Sequence, residues 1–173
     1  MTQRKKWQKV ALWLALFSVS IFIIHGLGYR VNFTHSVPVG LWKLENGAIL
    51  REGYVQVETN PQAWYLLGVE RKYYRPGARL LKKVVALEGD IVDYDTTEKI
   101  VIVIVIVNGK VVPLSEVTSR DGMGRAMPSM TFPVRLKPGE AWLASENKRG
   151  YDSRYFGPVS LDLLQPARLV LKM

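Results

Sequence analysis

Three short segments of this 173-residue chain hold side chains able to make and break bonds. The first is Asn32-Phe33-Thr34-His35-Ser36-Val37-Pro38-Val39-Gly40-Leu41-Trp42. A serine followed by X-Pro-X-Gly sits on a constrained turn, because proline fixes φ and glycine admits unusual angles. Such rigidity suits a nucleophile, although most Ser-X-Pro sequences are plain surface turns. The second is Leu80-Leu81-Lys82-Lys83-Val84-Val85-Ala86-Leu87-Glu88-Gly89-Asp90. Two lysines inside a bulky apolar strand face opposite ways, so one reaches solvent while the other turns towards packed interior. Desolvation lowers a lysine's pKa, and a neutral amine near pH 7 can take a proton from serine. The bland alternative is an edge strand with two solvated lysines. Alternation alone does not choose between Lys82 and Lys83, because both faces hold bulky aliphatics. The third segment runs from Gly139-Glu140-Ala141-Trp142-Leu143-Ala144-Ser145 to Gly150-Tyr151-Asp152-Ser153-Arg154-Tyr155-Phe156-Gly157-Pro158-Val159. On an extended strand Asp152 and Arg154 share a face, and they would form an ion pair beside a site or a purely structural one.

Other chemistries lack their residues. The chain has no cysteine, which excludes a disulfide scaffold, a zinc ribbon and a thiol nucleophile. Its two histidines, His25 and His35, are too far apart in sequence and context to suggest a zinc site. No GxxxxGK[ST] occurs, and Gly122-Met123-Gly124 lacks the third glycine of a dinucleotide fingerprint. His35 directly precedes Ser36, so in extended chain the two point apart and make a poor triad. No metal and no cofactor is expected.

These segments need elements to hold them. From Val10 the chain reads VALWLALFSVSIFIIHGLGY, with no charged residue until Arg30. A bilayer core takes roughly 20 apolar residues as a helix. Trp7 and Tyr29 stand at the ends, where interfacial aromatics belong, and Arg4, Lys5, Lys6 and Lys9 precede the run. This pattern predicts a retained single-pass anchor with its N-terminus inside, longer than the apolar core of a cleaved leader. The division expected is an anchor over residues 1–29 and an exported domain over 30–173. That domain reads as mainly β, with strands at 54–58, 80–87, 91–94, 99–107, 111–114, 141–144 and 168–171. Asn108-Gly109 marks a tight hairpin. One short helix is expected near 61–73, opened by Pro61 and stopped by Tyr74-Arg75-Pro76-Gly77. Residues 100–107 are eight consecutive β-branched residues, a strand that must be buried on both faces.

Composition narrows the partners. With 48% hydrophobic and 23% charged residues the chain is neither disordered nor collagen-like. Its net charge of +9 comes from 24 Lys+Arg against 15 Asp+Glu, and four of those cations lie in the first ten residues. The rest is only mildly basic, so no nucleic-acid partner is expected.

Taken in order behind an N-terminal anchor, the three segments resemble signal peptidase I. They are closest to its conjugative-transfer branch, the TraF type. The resemblance spans the chain, from Asn-x-Thr-x-Ser-x-Pro-x-Gly-x-Trp through Leu-Lys-Lys-Val-Val-Ala…Gly-Asp to Gly-Glu-x-Trp-Leu…Asp-Ser-Arg-Tyr-Phe-Gly-Pro. It implies a signal-peptidase-like β-domain working as a serine endopeptidase with a Ser/Lys dyad. Ser36 matches the nucleophile, and Lys82, eight residues before Asp90, matches the general base. Thr34 matches the hydroxyl that joins the Ser36 N–H in the oxyanion hole. Asp152 and Arg154 match the acid and base that support the site.

The implied partners are membrane lipid and a precursor protein or pro-pilin, cut or cyclised. The implied location is a bacterial inner membrane, with the catalytic domain in the periplasm. Glu88 replaces the family's usual proline before Gly-Asp. Gly150 stands where a serine often holds the lysine, so another group or water must orient Lys82. Ser36 lies within about 25 Å of Tyr29 even in extended chain, and Phe33, Val37, Leu41 and Trp42 are the expected lipid-facing surface. Two other readings are a self-cleaving repressor-type Ser/Lys protease, which the hydrophobic N-terminus disfavours, and a non-enzymatic anchored β-domain of a conjugation or secretion complex.

Overall fold

A computed structural model describes residues 3–59, 62–95 and 103–173. Helix α1 (Gln3–Gly26) keeps its described side chains exposed. Within it Lys6–Gly26, 21 residues, is long and apolar enough to cross a membrane. The final carbonyls of a helix have no partner of their own, and the following segment supplies cations for them. Arg30 Nη1 donates to His25 O at 2.8 Å and Lys43 Nζ donates to Leu27 O, while Leu44 N donates to Gly28 O at 2.9 Å.

Strands β1 (Tyr29–Asn32) and β2 (Gly40–Leu44) form an antiparallel hairpin whose loop carries Ser36. With β3 (Tyr54–Val57), β4 (Leu80–Leu87), β9 (Glu140–Ala144), β10 (Val159–Ser160) and β11 (Leu164–Lys172) they build a seven-stranded sheet ordered β1-β2-β11-β3-β4-β9-β10. A four-stranded sheet ordered β7-β6-β5-β8 uses β5 (Ile91–Asp95), β6 (Val103–Val107), β7 (Lys110–Val117) and β8 (Val134–Arg135). Helices α2 (Ala63–Glu70) and α3 (Ser153–Phe156) are short. The mainly β architecture expected from alternation is the one observed.

Several boundaries moved for physical reasons. The tail strand begins at Leu164 and runs through Pro166, where a proline argues against a strand between two neighbours. Pro166 O accepts from Glu45 N at 2.8 Å, just past the end of β2, so the missing N–H falls beyond that ladder. The helix is shorter than 61–73. It closes when the amides of Arg71, Lys72 and Tyr73 turn back onto Leu67, Val69 and Gly68, ahead of the expected stop at Tyr74. Pro61, its expected opener, lies outside the described residues.

Asn108 and Gly109 both have positive φ (49° and 78°), as a two-residue hairpin between β6 and β7 requires. Of the β-branched run, residues 100–102 lie outside the described residues. The rest forms β6, paired on both sides by β5 and β7, with Val107 buried.

Strands β4 and β9 are buried on both faces. Val84 and Leu143 pack with Val55 and Val57, whereas Val85, Ala86 and Trp142 pack against Val92, Val107 and Leu136 of the second sheet region. A third cluster joins Val37, Trp42, Leu44 and Ala167 under the Ser36 loop. This corrects the expected lipid surface. Val37 and Trp42 are 1% and 0% exposed and belong to the core, whereas Phe33 is exposed.

Candidate active site

The lysine face is settled by the register of β4. Lys82 stands opposite Val55 and Lys83 opposite Tyr54. Lys83 reaches the surface and pairs with Glu52 at 2.5 Å. Lys82 turns inward and is 2% exposed. Its Nζ donates to Ser145 Oγ at 2.6 Å and to the Tyr151 carbonyl at 3.0 Å, both neutral acceptors. Burial pulls its pKa down to about 8; Asp152 opposes that fall and Arg154 adds to it.

The loop carrying Ser36 is organised by one side chain. Asn32, 7% exposed, donates its Nδ2 to the carbonyls of Thr34 (2.8 Å), Val37 (3.2 Å) and Pro38 (3.2 Å). Its Oδ1 accepts from the Thr34 amide at 3.0 Å and the Thr34 hydroxyl at 2.7 Å. Trp42 Nε1 donates to Pro38 O at 3.1 Å from below. Ser36, half-buried, is tied to the end of β9, since its carbonyl accepts from Glu146 N at 2.7 Å. The Glu146 carboxylate accepts from Tyr54 OH at 2.6 Å, and the Tyr54 ring meets Trp42 edge-on at 4.9 Å. Ser36 thus hangs from the residue that follows Ser145, the hydroxyl that holds Lys82. Thr34 is exposed, and its single hydroxyl proton is directed at Asn32.

Asp152 and Arg154 do form an ion pair, but not on an extended strand. Asp152 is the N-cap of α3 and accepts from Arg154 N at 3.2 Å, so the backbone turns helical between the two. The pair is bidentate, 2.7 Å from Nε and 2.8 Å from Nη2, and the two residues are 0% and 2% exposed. Asp152 Oδ2 also accepts from Ser145 N at 2.9 Å. Arg154 spends its remaining donors on carbonyls of the preceding loop and of β7, chiefly Gly150 at 2.8 Å and Glu116 at 2.7 Å. A charged pair this deep needs those extra bonds, and here they staple residues 145–152 in place.

Ser145 is the group that sequence reasoning missed. The amine's hydroxyl partner comes from the end of β9 and not from position 150. A Cβ on Gly150 would collide with the Ser145 side chain, so only one of the two positions can carry a hydroxyl here. The available signal was a serine closing the Gly-Glu-x-Trp-Leu strand, one residue past its last buried alanine. Beside Ser145 and Glu146 a groove of about 670 Å³ opens, floored by Val85, Val112 and Ala144. No group of His, Cys, Asp and Glu that could hold a metal ion occurs among the described residues.

The chain is 38% identical over 141 residues to the conjugal transfer protein TraF of Agrobacterium fabrum, covering 76% of this chain and 75% of that one. It is 28% identical over 168 residues to a plasmid transfer protein TraF of Escherichia coli, covering 90% and 91%. A crystal structure of a signal peptidase I from Enterococcus faecalis aligns with a TM-score of 0.43 at 17% identity, over 72% of this chain and 99% of that one. The model of the family described as signal peptidase, peptidase S26, matches residues 4–167, a span holding all three segments, and the chain belongs to that family.

Proposed function

We propose that the chain is a membrane-anchored serine endopeptidase that processes exported precursors, with Ser36 as nucleophile and Lys82 as general base. The observation that carries this reading is a lysine 2% exposed whose amine is held between two neutral acceptors. A neutral amine has two N–H bonds and one lone pair. With Ser145 Oγ and Tyr151 O taking the two N–H bonds, the lone pair has a single direction left, and Ser36 is its intended partner. Ser36 Oγ attacks the scissile carbonyl while Lys82 takes its proton, and the resulting ammonium protonates the leaving amine.

The Ser36 N–H and the Thr34 hydroxyl hold the oxyanion. Thr34 must then turn its proton away from Asn32 Oδ1, which keeps the Thr34 amide as donor. Water resolves the acyl-enzyme, or a substrate amine does so and joins the chain's two ends. Asp152 and Arg154 hold the loop that aims Ser145 and Tyr151. The relatives' names, conjugal and plasmid transfer, support a conjugative pilin propeptide as the precursor, with an exported signal peptide as the broader class. In the same reading residues 1–29 anchor the chain in an inner membrane, the domain 30–173 faces the periplasm, and lipid lies against the anchor.

The test incubates the detergent-solubilised full chain with a pre-pilin or preprotein and reads the products by mass spectrometry across pH. The charged amine cannot accept a proton, so the rate is expected to rise along one ionisation near pH 8 and then level off. A rate still climbing tenfold per pH unit above about pH 9 would mean an unperturbed lysine and end the buried-base reading. No product at any pH would favour a non-enzymatic β-domain.

Ser145→Ala is a second expected result. It removes one of the two groups aiming the amine, so kcat should fall by about tenfold to a hundredfold with KM little changed. Steady-state cleavage kinetics measure it, and an unchanged kcat would strip Ser145 of its role.

A further inference from the structure

We propose that Tyr74 is a positioning residue for Lys82: its phenol occupies the Tyr151 carbonyl that the amine also uses, and so keeps the amine a base. The inference rests on Lys82 being the general base. Two donors meet at that one oxygen, Tyr74 OH at 3.0 Å and Lys82 Nζ at 3.0 Å. A carbonyl already accepting from a phenol offers less negative potential to an ammonium, so the protonated lysine is the form that loses by the arrangement. The oxygen is also held in place by a second bond, which fixes one of the two directions that orient the lone pair.

The rest of the neighbourhood serves this bond. The Tyr74 ring lies nearly parallel to Tyr65 of α2, with centroids 5.9 Å apart and planes at 11°. One edge of the ring lies against Gly68 of the same helix. A Cβ there would come within 2.7 Å of ring carbon Cδ2 and closer still to Cε2. Glycine inside a helix is less favourable than alanine, so this helix carries a glycine where the Tyr74 ring needs the space.

Helix α2 packs Trp64 on Phe156 of α3 and seats Tyr74 through Tyr65 and Gly68. Burial, with Tyr151, Asp152, Tyr73 and Tyr65 around it, holds the Tyr74 phenol far above its ordinary pKa, so it stays a donor at every working pH. The ionisable groups acting on Lys82 are Asp152 and Arg154, at the head of α3, and both remain in the variants below.

The test titrates Lys82 directly, by NMR of the full chain carrying 15N-labelled lysine in detergent, and in parallel by the pH–rate profile. Tyr74→Phe keeps the ring and removes the donor. The Lys82 pKa is expected to rise by about half a unit to one unit, moving the rate profile to higher pH, with the high-pH kcat falling less than in Ser145→Ala and KM little changed. Gly68→Ala, which helix propensity alone favours, should move the titration the same way by pushing the ring off. Placing 3-fluorotyrosine at position 74, a stronger donor of the same shape, should lower the pKa. An unchanged Lys82 titration in folded Tyr74→Phe, or with 3-fluorotyrosine, would overturn the proposal. Cleavage surviving in Lys82→Met would instead sink the dyad, and the NMR titration would still decide the role of Tyr74.

Discussion

Lys82→Met is expected to abolish processing and to make the protein more stable. The loss should be at least about 10⁴ in rate, since a base that acts as one unit with its nucleophile leaves little behind when removed. Ser36→Ala should lose as much. The stability gain has a sign fixed by burial. The folded lysine has a pKa of about 8 against 10.5 for an ordinary one. At any pH below 8 the chain must therefore bury a charge that the unfolded chain keeps in water. That costs about 3 kcal/mol. As pH rises from 8 to 10.5 the unfolded lysine gives up its proton too, and the cost disappears. Methionine has similar length and no charge, and Tyr151 O keeps Tyr74 as its donor. The variant's advantage should be greatest below pH 8 and close towards pH 10.5. Denaturant unfolding of both proteins across that range checks it; a difference that does not change with pH would contradict the buried-base reading even before activity is measured.

Breaking the other buried charge should do the opposite. Arg154→Leu leaves the Asp152 carboxylate, 0% exposed, with backbone donors only. It also takes a donor from the carbonyls of Asn147, Lys148, Gly150 and Glu116. Removing one partner of a buried pair costs about 3–5 kcal/mol, and at roughly 2–4 °C per kcal/mol for a domain of this size the melting temperature should fall by about 6–20 °C. Asp152→Asn should cost less, because the guanidinium keeps its carbonyl partners. It should also lower the pKa of Lys82, since Asp152 is the neighbour that raises it. Thermal unfolding and the pH–rate profile separate the two variants. Equal stability of Arg154→Leu and the parent would show that the staple carries no load.

Much of this was legible in the residues. Strand β4 was legible because eight aliphatic and lysine residues end at Glu-Gly-Asp, a turn whose Asp90 accepts from Leu87 N at 2.8 Å. Strands β1 and β2 were not, because their hairpin is held by the Asn32 side chain and by Trp42 beneath it, neither of which is a local propensity. The choice of Lys82 over Lys83 was invisible to alternation, since β4 is buried on both faces and only the register with β3 tells which lysine meets solvent. Asp152 and Arg154 read correctly as a pair and wrongly as strand residues, because Asp before Ser and Arg is equally a helix cap. Ser145 was missed because position 150 drew attention in sequence, while the choice between the two is steric.

Two cations tie α1 to the hairpin that follows it, one on the last turn of the helix and one on the residue just past its end, joining the two into one piece. Arg30 and Lys43 bond the carbonyls of His25 and Leu27, and β1 leads from there to the Ser36 loop over about 10 Å of strand. With α1 set in a bilayer, such a piece acts as a ruler. In the function proposed above it would hold Ser36 at one height, so that a precursor whose own apolar segment ends at a different depth would present its bond too high or too low. Selection by altitude needs no sequence code at the cut, and inserting residues between Gly28 and Tyr29 would recalibrate the instrument.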